Sequence, residues 1–270
     1  MQKVFPGSLN QQLLKNITRG YTESDISKYV SHVLISVIIG LLAGAGAILF
    51  HHMLHLSRVF FEPDNFKEAY HTPVFFIILI PVAGGIICSL MTLFFPFIAR
   101  EKGVMSVIKS IIIRKGLIPF KETLFHFIAP VVSIGTGAPL GPEGPSAKIG
   151  SGIGSFISQI FRHRSNDMIM YTAAGGGAAI SAVFNAPIAG VFFGIEVILL
   201  NDLKNRALSA LIIASVVADI ISRSILGNVR IFRIPAYSTG DYLSYFYYVA
   251  LGVLCGLVAL FYFYISDKFE

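Results

Sequence analysis

Long stretches without a charged residue alternate with short polar connections along most of the chain. The four longest lie between Lys28 and Arg58, between Glu68 and Arg100, between Asp167 and Glu196, and between Asp241 and Asp267. Each is long enough to cross a bilayer as a helix, which takes about 20 residues. This pattern predicts a membrane protein with several crossings.

Glycine and proline divide these stretches into separate helices. Two long helices, at 27–61 and 73–97, are expected to form a hairpin, and another is expected at 241–267. An amphipathic helix at 103–116 has Val107 and Ile111 at helical spacing and is too short to cross alone. The remaining helices are predicted at 120–140, 145–161, 166–184 and 187–200 and near 207–221, where the shorter uncharged stretches fit tilted or broken helices better than simple crossings.

The interrupted helices bear on the class of protein. Irregular backbone is tolerated in hydrocarbon only where it lines a cavity or is buried in protein, so such helices are typical of transport and binding proteins. We therefore expect an all-α, polytopic membrane protein. Residues 1–26 are predicted to be a cytoplasmic segment with a short surface helix at 8–15, and residues 27–270 form the transmembrane domain.

Composition and charge narrow the class of protein further. Apolar residues make up 54% of the chain and charged residues 13%, against about 25% charged in soluble domains. The net charge is +6, but the basic residues lie in the connections rather than on one patch, which argues against nucleic-acid binding. The positive-inside rule places the N-terminus and the segment after Arg100 in the cytoplasm, and we expect a multi-pass protein of the cell (inner) membrane.

Signs of enzyme or metal chemistry are lacking. Cys88 and Cys255 both lie in apolar stretches, so neither a disulfide framework nor a thiolate metal site is indicated. His51 and His55 have the spacing of a metal pair, but we favour interfacial histidines. We predict no enzyme activity, no bound metal and no cofactor.

The densest glycine and proline segment, residues 133–150, suggests an anion site. Its glycines allow close backbone approach, its prolines start a helix without losing a donor, and the free amides of that first turn carry partial positive charge. Glu143 is the only acidic residue of this segment, and an acidic residue within a membrane segment is a candidate functional residue by default. The alternative is that Glu143 only caps the helix and pairs with Lys148.

Two motifs resemble those of a known family, the CLC voltage-gated chloride channels and chloride/proton antiporters. Gly141-Pro142-Glu143-Gly144-Pro145, followed by Ile149-Gly150 and Gly154, resembles the family's G(K/R)EGP motif. The segments at 173–179 and 184–196, with Phe184-Asn185-Ala186-Pro187 and Ile195-Glu196, resemble its next helix pair. The looser resemblance extends from about Ser27 to the end of the chain.

The resemblance implies a fold, an assembly and a gate. It implies a dimer of subunits with separate anion pathways, each built from two inverted halves whose broken and tilted helices converge on an anion. This chain would hold the first inverted repeat and the first helix of the second, and so be incomplete at its C-terminus. Glu143 takes the position of the gating glutamate, which occupies an anion site when ionised and swings out when protonated. The resemblance assigns anion binding to the helix start, at Gly141, Pro142, Gly144 and Pro145.

Departures from the family's motifs affect the expected mechanism. The family's GSGIP motif corresponds to residues 101–105, which places Lys102 where its anion-coordinating serine would be and keeps Gly103; we include both in the anion site. Pro142 replaces the usual basic residue. Val197 stands at the inner proton site, where antiporters typically have a second glutamate, and this is the pattern of the channel members.

These observations lead to one functional hypothesis and two alternatives. We expect channel-like transport of chloride or a similar small anion across a lipid bilayer by a homodimer, gated by Glu143. The first alternative is a non-conducting half-length fragment or assembly subunit. The second is chloride/proton exchange.

Overall fold

The computed structural model describes residues 23–61, 74–100, 103–202, 205–227 and 242–269, and this part of the chain is helical with no strand. The elements are α1 (Glu23–Phe61), α2 (Val74–Phe94), α3 (Pro96–Ala99), α4 (Gly103–Arg114), α5 (Phe120–Gly135), α6 (Glu143–Ile160), α7 (Ser165–Phe184), α8 (Pro187–Phe192), a π-helical segment π1 (Phe193–Ile198), α9 (Asn205–Leu226) and α10 (Leu243–Phe269). The all-α fold with broken helices is therefore confirmed. The surface helix predicted at 8–15 lies outside the described residues.

Most of the predicted helices are present. Where an observed helix end differs from the predicted one, the cause lies in the local sequence. The helix predicted at 120–140 ends at Gly135, because Gly137 adopts a φ of 107° and Pro139 follows. The helix predicted at 73–97 is interrupted at Phe95, whose φ of −127° and ψ of 55° precede Pro96. The helix predicted at 187–200 continues beyond Phe192 as π1.

The helix near 207–221, expected as a tilted or broken segment, is not broken. It is the continuous 22-residue α9, and the segment Arg206–Leu226 is long and apolar enough to cross a bilayer, as are Ile26–Phe61 and Ser244–Lys268 among the described residues. Asp219 does not interrupt it, because its carboxylate lies 2.7 Å from the guanidinium of Arg223, one turn later.

Helix α7 lies at the centre of the packing. Every residue from Met170 to Ala182 is buried, and most of these residues are glycine or alanine. Small side chains let neighbouring backbones approach closely, which is how helices pack in membranes. A Cβ on Gly175 would collide with the carbonyl oxygen of Gly150 in α6, and a Cβ on Gly154 would collide with that of Tyr171. α6 and α7 are therefore in backbone contact.

A polar cluster joins α1, α7 and α9 near their N-terminal ends. The buried His32 lies 3.1 Å from the hydroxyl of Tyr171 through Nδ1 and 2.9 Å from the hydroxyl of Ser209 through Nε2. Ser209 donates its own proton to the carbonyl of Arg206 and so accepts from Nε2, which leaves Nδ1 to accept from Tyr171. The three helices therefore begin on the same side of the fold.

The chain divides into two compact units, residues 1–231 and 232–270. The first contains α1 to α9. The described part of the second is α10, a 27-residue helix with large apolar side chains on all of its faces. A helix that is apolar all round suits a hydrocarbon environment.

Candidate functional site

The segment predicted to bind an anion is the break between α5 and α6. The break begins at Gly135, the last residue of α5, which lies so close to α1 that a Cβ on it would collide with the Ser57 hydroxyl. The next residue, Thr136, lies against α2, because a Cβ on Gly84 would collide with the Thr136 side chain. Ser57 also donates a hydrogen bond of 3.3 Å to the carbonyl of Val131. The two long N-terminal helices thus position the break.

The first turn of α6 has few backbone donors, and they are not capped. Pro142 is the N-cap, with a φ of −77° and no side-chain hydrogen bond to the helix. Both the amide and the hydroxyl of Ser146 donate to the Pro142 carbonyl, at 3.0 and 2.7 Å. Since Pro142 and Pro145 have no N–H, the donors of this turn without a helical acceptor are the amides of Glu143 and Gly144.

The start of α4 lies beside the start of α6. Gly103 begins α4 with a φ of 56°, and a Cβ on Gly144 would lie 3.4 Å from the Gly103 Cα. The N-terminus of a helix carries roughly half a positive charge. Two such ends, with no side chain between them, form a favourable place for an anion.

A cavity of about 560 Å³ adjoins these two helix ends. At about 30 Å³ per water molecule, it has room for a small hydrated ion. Its lining comes from five helices and the α5–α6 break, and includes Gly103, Gly141, Gly144, Pro145, His126 and Cys88. The structure therefore brings together four of the predicted anion-site residues, which come from two segments of the chain.

Glu143 lies at this site but not inside the cavity. It is the first residue of α6, it is exposed, and it is not among the residues that line the cavity. Its carboxylate lies over Gly141, since a Cβ there would coincide with a carboxylate oxygen. Pro142 is half-buried beside it, Lys102 lies outside the described residues, and Val197 is half-buried in π1, away from the cavity lining.

Next to the cavity, a buried ion network was not anticipated from the sequence. Lys148 of α6 is fully buried, and its Nζ lies 3.2 Å from Oε2 of Glu122 in α5. Arg114, the last residue of α4, lies 2.7 Å from Oε1 of the same carboxylate. Lys148 therefore pairs with Glu122 of α5. The alternative interpretation had expected it to pair with Glu143. The only sequence signal was that Lys148 is the one basic residue of α6.

Among the described residues, this network places two cations around one carboxylate. Pro142 replaces the basic residue usual in the family's motif, and Lys148, one turn into the same helix, brings a positive charge close to the cavity. Within the described residues, no group of three or more histidine, cysteine or acidic side chains could hold a metal ion. His51 and His55 are exposed on α1, and Cys88 and Cys255 are both free thiols.

Broken helices whose N-terminal ends meet at an apolar-lined cavity define an integral membrane protein suited to binding small anions. A family model described as voltage gated chloride channel matches residues 83–270. The chain belongs to that family, the CLC family.

Three known proteins illustrate the relationship. The chloride channel protein CLC-e of Arabidopsis thaliana is 32% identical over 246 residues, which cover 83% of this chain and 33% of that protein. The H(+)/Cl(-) exchange transporter ClcA of Vibrio cholerae is 24% identical over 266 residues, covering 95% of this chain and 55% of that protein. The crystal structure of a CLC-type fluoride/proton antiporter superimposes with a TM-score of 0.67 at 21% identity, covering 88% of this chain and 56% of that one. The chain thus spans about a third to a half of their lengths.

Proposed function

We propose that this chain forms part of a pathway for chloride or a similar small anion, conducts in a channel-like manner and is gated by Glu143. The observation that carries the proposal is the meeting of Gly103 and Gly144, the starts of α4 and α6, at the cavity. Two uncapped amides and two helix dipoles favour negative charge there. Such a site needs no cofactor, and its function is transport rather than catalysis.

Competition between two negative charges gives Glu143 the role of a gate. An ionised carboxylate can accept from the same helix-end amides that hold a free anion, so the two exclude each other. Protonation removes the charge of the carboxylate and its claim on those donors. The position of the carboxylate over Gly141 supports a short movement between the cavity and a place beside it.

Channel-like conduction is favoured over exchange by Val197. This residue has no group that can take up a proton at the position where the family's antiporters typically have a glutamate. The relatives include both a protein named as a channel and one named as an exchange transporter. Proton movement opposite to chloride under an imposed voltage would show exchange instead.

The test is chloride efflux from liposomes reconstituted with the full chain. We expect the wild type to release chloride faster at acid pH than at neutral pH, because protonation removes the charge with which Glu143 competes with the anion. Both Glu143→Gln and Glu143→Ala should raise efflux at neutral pH and reduce its pH dependence. Asp267→Asn, which removes an exposed carboxylate in α10, is the matched control and should behave as the wild type.

Other outcomes separate the alternatives. Efflux that Glu143→Ala leaves unchanged would contradict the gating role. No efflux from any variant would favour a non-conducting fragment or assembly subunit over conduction by this chain. We also propose a homodimer in the cell (inner) membrane, and the mass of the detergent-solubilised protein from light scattering tests the dimer.

A further inference from the structure

A second cavity, the interfacial cavity, has a volume of about 310 Å³ and lies where α7 and α9 begin. Its charged lining residues are Asp167 in the first turn of α7, Asp202 after π1, and Arg206 at the start of α9. Met170 and Leu199 also line it, and both are buried. The cavity therefore has charged groups at its mouth and apolar surface beneath them.

A tight turn after π1 places Asp202 at the mouth of this cavity. Leu200 and Asn201 adopt left-handed φ values of 51° and 64°, which few residues other than glycine show. The amide of Asp202 donates a hydrogen bond of 2.9 Å to the carbonyl of Leu199, so the chain turns back on itself. The exposed carboxylate of Asp202 is thus held beside the start of α9.

The charged groups at the mouth are of both signs. Nη1 of Arg206 lies 4.0 Å from Oδ1 of Asp167, which is longer than a hydrogen bond. The Arg206 side chain is 61% exposed, so guanidinium donors remain open to a ligand. Two carboxylates beside one guanidinium favour a ligand that has both a positive and a negative group over a simple anion.

The position of the interfacial cavity relative to the bilayer narrows the class of ligand. Arg206 is the first residue of Arg206–Leu226, a segment long and apolar enough to cross a bilayer, so the cavity lies at the level of lipid headgroups. Leu200 and Leu208 adjoin the lining residues Leu199 and Ala207, and both are exposed. In a bilayer, acyl chains contact such leucines while headgroups contact the charges. At about 30 Å³ per water molecule, the cavity has room for about ten, which suits a small headgroup.

We propose that the interfacial cavity binds a phosphoethanolamine group, as carried by the headgroup of a zwitterionic phospholipid. The ammonium group donates to Asp202 and Asp167, and the phosphate accepts from Arg206. A choline headgroup has no N–H with which to contact the carboxylates, and a glycerol headgroup brings a negative charge without a positive one. The proposal is independent of the anion pathway, because the two cavities share no described lining residue.

The test is lipid binding to the detergent-solubilised full chain, measured by native mass spectrometry. Phosphatidylethanolamine, phosphatidylcholine and phosphatidylglycerol with the same acyl chains are compared. We expect phosphatidylethanolamine to bind about tenfold more tightly than the other two, which is the effect of roughly one hydrogen bond to a charged group. Asp202→Asn and Arg206→Gln should each remove most of this preference. Asp267→Asn and Arg58→Gln, which remove exposed charges of α10 and α1, are the matched controls and should keep it.

A second measurement uses only the wild-type protein and so does not depend on how a variant folds. Methyl groups added one by one to the ammonium of phosphatidylethanolamine should weaken binding stepwise, because each removes an N–H donor. Water-soluble glycerophosphoethanolamine should compete only weakly, since it has no acyl chains.

Two results would overturn the proposal. The first is equal binding of phosphatidylethanolamine and phosphatidylcholine by the wild type. The second is a preference that survives both Asp202→Asn and Arg206→Gln. Strong competition by glycerophosphoethanolamine would overturn the lipid as the source and assign the cavity to a soluble phosphoethanolamine compound.

Discussion

The glycines around Glu143 leave space at the site because they have no side chains. Gly103 adopts a left-handed φ of 56°, which other residues adopt only with strain. At Gly144 an added Cβ would reach ordinary contact distance, 3.4 Å from the Gly103 Cα, and so would lie between the two helix ends. At Gly141 the place of a Cβ is taken by the Glu143 carboxylate. The backbone leaves room here for an ion and for a moving side chain.

Replacing Gly141 tests the movement of the gate directly. A methyl group from Gly141→Ala would displace the end of the flexible Glu143 side chain, and we expect the carboxylate to move towards the cavity. Chloride efflux at neutral pH should then fall several-fold, and more acid should be needed to restore it. Folding should change little, since only a flexible side chain has to give way.

The matched background for this experiment is Glu143→Ala. In that protein no carboxylate stands over Gly141, so adding Gly141→Ala should leave efflux unchanged. An equal loss of efflux with and without the Glu143 carboxylate would show that the methyl group acts on the backbone or on the cavity itself. Efflux is measured from liposomes at several pH values.

At the scale of elements, α6 and α7 are held together by backbone contact rather than by interlocking large side chains. Gly150 and Gly175 face each other, and a Cβ on either would collide with the carbonyl of the other. A similar contact joins α1 to α9, where a Cβ on Gly40 would lie 2.6 Å from the carbonyl oxygen of Ala214. Since α6 carries Glu143 at its N-terminus, its packing on α7 determines where the anion site lies.

We predict that Gly175→Ala destabilises the fold by about 3 kcal/mol, at the upper end of typical costs of overpacking. The collision is with backbone, which cannot move aside as a side chain can. Gly85→Ala is the matched control, because nothing lies within 4 Å of a Cβ at that position of α2. Thermal unfolding in detergent should show a lower midpoint for Gly175→Ala and almost none of this change for Gly85→Ala. Equal midpoints for the two variants would contradict the close packing of α6 on α7.

For the whole molecule, the sequence predicts local breaks better than it predicts pairings between helices. The break after α7 could be anticipated from Pro187 nearby, and Asn185 indeed adopts a left-handed φ of 53° there. The continuity of α9 was missed because the uncharged stretch within 207–221 is short, whereas the helix also takes in Arg206 and the ion pair of Asp219 with Arg223. The contact between Lys148 and Glu122 joins different helices, so sequence spacing could not predict it.

The charge of the molecule and its local distribution give the last prediction. The chain has 21 basic and 15 acidic residues, and the N-termini of two helices, α4 and α6, add positive potential beside the cavity. Cys88 lines this cavity, and Cys255→Ser makes it the only thiol of the chain. A small anionic thiol reagent should therefore modify Cys88 about tenfold faster than a cationic reagent of similar size at low salt.

Rates for each reagent are divided by its rate with free cysteine, so that only the protein's field is compared. The preference should shrink as salt is added, because screening over about 10 Å at 0.1 M weakens the attraction of the reagent to the cavity. Faster modification by the cationic reagent would mean that the cavity attracts cations. That result would contradict an anion pathway at the meeting point of α4 and α6, whatever the behaviour of Glu143.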